Sequence, residues 1–295
     1  MTSHQVMHGL PSNVEFCKMC VMSNQKPNSS VEHARKPGHH HAVVQFTDGI
    51  CDGCRFWPIK ESIDWKKREE ELVQLLDKHR RNDGRYDCIV PGSGGKDSVY
   101  AAHILKYRYG MNPLTVTWPP IIYTDIGYRN YKKWIDDGGF DNISFNFNGR
   151  IHKILTRLAI ENLLHPFQPF ILGQKNFPVK VSLQYDVPLV FYGENSGEYG
   201  NPIADNNTSL RDASFHAMKH TDDIFLSGVS VGELKQKYGF TPGDIETYLP
   251  PRFDELEKKK VEVHYLGYYL KWTPQEAYYY SVEHADFQAN PNRSE

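Results

Sequence analysis

A short apolar run, Tyr86-Asp87-Cys88-Ile89-Val90, leads straight into Gly92-Ser93-Gly94-Gly95-Lys96-Asp97-Ser98. Beyond that loop Val99, Ala102 and Leu105 recur at helical spacing as far as Tyr109. A buried strand, a glycine turn and a helix in this order start a parallel strand–helix–strand unit, because parallel neighbours need a crossover between them. The pattern then repeats. Pro113 to Trp118, Ile143 to Phe147 and Pro188 to Tyr192 read as strands, and Tyr128 to Asp137 and Ile151 to Leu164 read as helices. Further on, Leu234 to Tyr238 reads as a short helix, Val261 to Leu266 as another strand, and Tyr278-Tyr279-Tyr280 as packing surface. The expected fold class is α/β: a parallel, doubly wound sheet with helices on both faces. Ligands on such sheets bind beyond the carboxyl ends of the strands, where this chain carries its glycines and polar side chains.

Consecutive glycines let backbone N–H groups approach an anion, and the start of a helix adds partial positive charge. Ser93 and Ser98 offer hydroxyl donors and Lys96 a charge, while Asp97, when ionised, suits a Mg2+ or structural role. The loop is not a Walker A sequence, which needs Ser or Thr where Asp97 stands. Nor does it have the third glycine of the dinucleotide fingerprint at that position. What remains, S-G-G-x-D-S, resembles the PP-loop of the ATP pyrophosphatases, whose fold is adenine nucleotide α-hydrolase-like. The resemblance implies that ATP is held by its β,γ end and attacked at the α-phosphorus. It implies a nucleotide-binding set of Gly92, Ser93, Gly94, Gly95, Asp97, Ser98 and Asp125, with Ser93, Lys96, Asp97 and Ser98 as catalytic residues.

With 295 residues the chain can bury one substantial core and a smaller accessory unit. Residues 1–60 are rich in His, Pro, Ser and Asn and need something other than a core to hold them. Residues 61–208 carry the expected PP-loop domain, and 209–295 a mixed C-terminal extension. The first region holds Cys17-x-x-Cys20 and Cys51-x-x-Cys54, a ligand set for a closed tetrahedral zinc site of structural type. A redox pair or iron–sulfur ligation is the competing reading. His39-His40-His41 reads as a solvated loop, and Cys88, the fifth cysteine, as a small buried hydrophobe in its strand. A net charge of −2 argues against a nucleic-acid ligand. No apolar run approaches the roughly 20 residues of a membrane span, and the N-terminus lacks signal-peptide features, so the cytoplasm is the expected compartment.

Four polar segments are expected around the reacting group: Tyr123 to Gly127, His165 to Phe170, Gly173 to Asn176, and Phe191 to Asn195. Gln168, Gln174, Lys175, Glu194 and Asn195 are the expected substrate contacts, suited to a small neutral or acidic ligand such as a sugar. Together with the cysteine pairs and the loop, these segments resemble the N-acetyl sugar amidotransferase family of bacterial surface-polysaccharide and flagellin-glycan pathways, the O-antigen and pseudaminic-acid-type enzymes. The likeness runs from about Cys17 to the end. It implies conversion of an acetamido group, on a sugar or nucleotide-sugar, into an acetamidino group through an O-adenylated intermediate that ammonia attacks. It also implies a chain that continues past Glu295. The sequence offers no glutaminase nucleophile, since Thr2 follows Met1 and no His-x-Glu pair accompanies a free cysteine. A glutaminase partner is therefore expected to supply ammonia, and the resemblance implies one similar to the imidazole glycerol phosphate synthase glutaminase, with its cyclase-like companion. The alternative reading is a tRNA-modifying PP-loop enzyme of the thiolation or lysidine type.

Overall fold

The computed structural model describes residues 10–28, 30–38, 43–194 and 207–291. A small antiparallel hairpin, β1 (Phe46–Thr47) and β2 (Ile50–Cys51), leads into α1 (Asp52–Glu61) and α2 (Trp65–His79). The alternation follows as β3 (Cys88–Pro91), α3 (Lys96–His103), β4 (Pro113–Thr117), α4 (Asp125–Asp136), β5 (Asn142–Ser144), α5 (Gly149–Leu163), α6 (Gln168–Tyr185) and β6 (Leu189–Tyr192). A second hairpin, β7 (Phe225–Leu226) and β8 (Val229–Ser230), precedes α7 (Val231–Tyr238), α8 (Pro242–Glu246) and α9 (Phe253–Lys258). The described chain finishes with β9 (Glu262–Tyr265), α10 (Leu266–Tyr269) and α11 (Pro274–Ala285).

Five strands form one sheet in the order β5-β4-β3-β6-β9, every pairing parallel. The chain starts at the central strand, β3, moves outward to β5, then returns to β3's other side for β6 and β9. Connections on the two sides of β3 cross opposite faces of the sheet, so a crevice opens where β3 meets β6, at Ile89 beside Val190. Burial follows the strand period of two. Cys88, Val90, Leu189 and Phe191 pack with Leu72 of α2, Val99 and Ala102 of α3, and Trp134 of α4. Ile89, Val190, Leu114 and Val116 face the other way, against Val179 and Val181 of α6 and Leu256 of α9. A third cluster gathers Trp118 with Leu155, Leu172, Leu226 and Tyr248 from α5, α6, β7 and the segment after α8.

Three expectations are adjusted. The strand expected over Ile143 to Phe147 ends at Ser144, because Phe145 and Phe147 stack on Trp118 at 5.2 and 5.3 Å. The two polar segments expected at 165–170 and 173–176 fall in or next to the single helix α6. Its two prolines hid it: Pro169 lies in the first turn, where a missing N–H costs little, and Pro178 interrupts the interior. The sheet also draws on residues past 208, since β9 is its edge strand and α11 packs on α3.

Candidate active site

The loop between β3 and α3 is shaped by two close approaches. A Cβ on Gly92 would stand 2.3 Å from the Ser98 Cβ, and one on Gly94, whose φ is +84°, would strike the α4 backbone at Tyr131. Only glycine gives that turn without strain. Gly95 is the N-cap of α3, and no side chain closes the helix start. Asp64, Thr124, Asn148, Ser230 and Thr241 each cap their own helix with a side-chain oxygen, whereas α6, α10 and α11, like α3, start without one; α3 differs from these in following the glycine turn. The first N–H groups of α3 are therefore left for a ligand, and the site has the form of an anion cradle.

A cleft of about 360 Å³ opens over this loop at the carboxyl ends of the strands. Of the expected residues, Gly92, Ser93, Gly95, Asp97, Ser98, Gln174, Lys175 and Glu194 line it. Asp97 Oδ2 accepts from Lys96 Nζ at 2.6 Å, while its Oδ1 is buried and has no donor. An orphaned carboxylate oxygen beside an anion cradle is the donor type that a hard divalent cation takes. Tyr192 donates its hydroxyl to the Gln174 carbonyl at 3.1 Å, and the buried Trp118, whose indole N–H has no partner, forms part of the lining.

Other expected residues fall elsewhere. Lys96 is turned to Asp97 and Gly94 is packed against α4; neither lines the cleft. Asp125 is an exposed first-turn residue of α4, away from the lining. Gln168 is fully buried. Its amide donates to the Glu32 carbonyl at 2.9 Å and accepts from the Ser227 N–H at 3.0 Å, so it joins the N-terminal segment to α6 and the β7–β8 turn. Both of its polar ends are used by the fold, which corrects its expected place among the substrate contacts. Asn195 and His39-His40-His41 lie outside the described residues.

Sequence reasoning missed Arg211. It lies just before a short 3-10 turn at Ala213–Phe215, yet its side chain lines the cleft and its guanidinium covers Tyr192 at 4.9 Å. No periodicity or glycine marks it, and the short Ser209-Leu210-Arg211-Asp212 run offered no signal before the fold was known. Burial, with the Arg211 charge beside it, lowers the Lys175 amine to about 8.

The four cysteines of the N-terminal region converge. Their sulfur atoms all lie within 4.8 Å of one another, none is in a disulfide, and Cys20 and Cys51 are 3.7 Å apart. A tetrahedral site with Zn–S bonds of about 2.3 Å has S···S edges of about 3.8 Å, so the cluster fits zinc. Backbone N–H groups of Met19, Met22, Cys51 and Cys54 point at the sulfurs at 3.3–3.5 Å. Burial raises the Cys17 thiol, and the N–H groups of Cys51, Met19 and Cys20 more than offset that, lowering it to about 6. The thiolate a metal requires is thereby favoured at Cys17, whereas burial and the neighbouring thiols raise Cys51 and Cys54. Cys88, in contrast, is sealed in the sheet, and burial pushes its thiol up.

These features define an α/β protein with an uncapped, glycine-rich helix start at the switch point of a parallel sheet and a separate four-thiol cluster that could hold a metal ion. No family model matches the chain. Over 100 residues, 34% of this chain, it is 31% identical to an uncharacterized protein of Methanocaldococcus jannaschii, and it covers 31% of that protein's length. Among solved structures it is similar to NMN synthetase from Francisella tularensis, with 14% identity, 79% of this chain and 100% of that chain covered, and a TM-score of 0.34. It is also similar to the NH3-dependent NAD synthetase of Campylobacter jejuni in complex with nitrate, at 16% identity, 79% and 100% coverage, and a TM-score of 0.36. The NAD+ synthetase of Burkholderia pseudomallei gives 14% identity, 79% and 96% coverage, and a TM-score of 0.33. Among the described residues no helix is long and apolar enough to cross a membrane.

Proposed function

We propose that the chain is an ATP-dependent amidotransferase that converts the acetamido group of a bacterial surface-glycan sugar into an acetamidino group. The observation that carries this reading is the uncapped start of α3 behind Ser93 and Gly95, open to a cleft at the β3/β6 switch. Its N–H groups, with Ser93 and Ser98, suit the β,γ-phosphates of ATP and leave the α-phosphorus toward the rest of the cleft. Mg2+ bound with ATP would neutralise phosphate charge, and Asp97 is the residue that would hold it.

The acetamide oxygen of the acceptor attacks the α-phosphorus and pyrophosphate leaves, giving an O-adenylated imidate. Ammonia then displaces AMP. An amide oxygen is a poor leaving group, and exchange for AMP makes the substitution feasible. Gln174 and Glu194 are the proposed acceptor contacts. Ammonia would come from a glutaminase partner similar to that of imidazole glycerol phosphate synthase, with a cyclase-like companion. Two observations support an outside source: four thiols converge in one cluster and the fifth is sealed in the sheet. The same lack of a free thiol near the loop weighs against thiolation chemistry. The cytoplasm, with its ATP, is the proposed setting.

The test is to incubate the zinc-loaded chain with ATP, Mg2+, ammonium and candidate N-acetyl sugars and to resolve the nucleotide products. AMP and pyrophosphate appearing with an acetamidino sugar are expected. ADP and orthophosphate would overturn the reading.

A further inference from the structure

Two cations in the cleft share one aromatic ring. Lys175 Nζ is 5.2 Å and Arg211 Cζ 5.4 Å from the ring centre of Phe215, and both side chains line the cleft. Arg211 Nε is buried and finds no acceptor among the described residues. Among the described residues Lys175 gives one bond, to the Ser30 carbonyl at 3.3 Å, out of three N–H donors. Glu32 is an acid whose charge reaches Lys175, but it is engaged by Arg35 at 3.0 Å and His165 at 3.5 Å; Asp97 and Glu194 also line the cleft. Two neighbouring cations in poor solvent repel each other until an anion enters between them.

The fold says which side of the ligand they meet. The loop and α3 belong to the face of the sheet that carries Val99 and Trp134, whereas α6, the source of Lys175, packs on the opposite face with Val179 and Val181. A nucleotide whose β,γ-phosphates rest on the loop would turn its next phosphate toward that second wall.

We infer that Lys175 and Arg211 form a cation pair that holds the α-phosphoryl group of the nucleotide, a role resting on the ATP reading above. During attack, a bond forms between the acetamide oxygen and the α-phosphorus. The bond to the bridging oxygen breaks, its electron pair leaves with pyrophosphate, and the amide proton passes to water. Negative charge gathers on the non-bridging α-oxygens, and donors already fixed there lower the barrier. The depressed Lys175 amine is the cost of keeping the pair in place before the anion arrives, and the phosphoryl group would raise it again.

Calorimetric titration of the zinc-loaded chain with AMP, ATP and inorganic pyrophosphate tests this without an acceptor. Arg211→Met and Lys175→Met are each expected to weaken AMP and ATP about tenfold or more, with pyrophosphate changed by no more than about twofold. Ser93→Ala is expected to weaken pyrophosphate and ATP but spare AMP, and Arg211→Lys to recover part of the AMP binding. Equal loss of pyrophosphate and AMP in Arg211→Met would overturn the assignment in favour of the loop's own phosphates. Unchanged AMP binding would overturn it in favour of another anion, such as an acid group on the acceptor. A chain that binds nucleotide as expected but amidates no N-acetyl sugar would sink the acceptor reading alone.

Discussion

Gly94 leans so closely on Tyr131 that a Cβ added to it would stand 2.5 Å from the Tyr131 Cα. Its φ of +84° adds backbone strain for any L side chain. Gly94→Ala is therefore expected to cost about 2–4 kcal/mol, combining left-handed strain with overpacking against a helix backbone that cannot swing aside. The neighbouring Gly95 meets nothing within 4 Å of an added Cβ and has an ordinary φ of −70°. Gly95→Ala is expected to keep near-native stability and to lose ATP binding, because its methyl group enters the cradle. Urea midpoints and nucleotide titrations on the two variants separate the roles. Equal destabilisation by both would refute the geometry.

The thiol cluster leads to a second expectation. Protein purified without added metal should carry about one zinc per chain by elemental analysis. Cys51→Ser should lose it and also weaken the N-cap of α1, where the Cys51 sulfur accepts from the Cys54 N–H. The small cluster of Val44 with Cys17 and Cys51 has too little apolar surface to hold the region alone, so metal loss should expose residues 10–60 to protease. A metal-free chain that resists protease there would contradict this.

Stability should fall on mild acidification. His33 and His216 are buried, and burial, with Lys175 beside the first and Arg211 beside the second, lowers them to about 4 and about 3. Both are thus neutral in the fold and take up protons more readily when unfolded, near 6.5. The stability they contribute is full above about pH 6.5 and is lost as pH falls toward 4 and 3. Acid also releases metal from thiolates, so the informative quantity is a difference between variants. His216→Leu should show a smaller drop in urea midpoint between pH 7.5 and 5 than the parent chain. An identical drop would count against the buried neutral histidine.

The frame was readable because its signals are local. Cys88-Ile89-Val90 and Leu189-Val190-Phe191 are short apolar runs that a parallel sheet buries on both faces, and the glycines of the loop mark the turn between strand and helix. The cysteine spacing likewise announced four converging sulfurs. What escaped depended on tertiary partners. Gln168 looked like a ligand contact because an amide among prolines and aromatics suggests a binding loop. Its real partners, Glu32 and Ser227, are 136 and 59 residues away. Arg211 escaped for the same reason, since only the return of the chain beside β9, where its N–H bonds the Val263 carbonyl at 2.8 Å, brings it over the cleft.

The last expectation concerns the nitrogen source. Cys88 is fully buried in β3, and the other four thiols converge in one cluster, so no thiol of this chain is placed to attack glutamine. Ammonium at alkaline pH, where free ammonia is plentiful, should support amidine formation by the isolated chain. Glutamine should support it only when a glutaminase is added, and Cys88→Ala should leave both activities unchanged apart from a modest loss of stability. Mass spectrometry of the sugar with ¹⁵N-ammonium or ¹⁵N-amide glutamine reads the source directly. A thiolation enzyme would ignore both donors and require sulfur and tRNA. Amide label from glutamine entering the product with this chain alone would show that a nucleophile has been overlooked, and the need for a partner would fall with it.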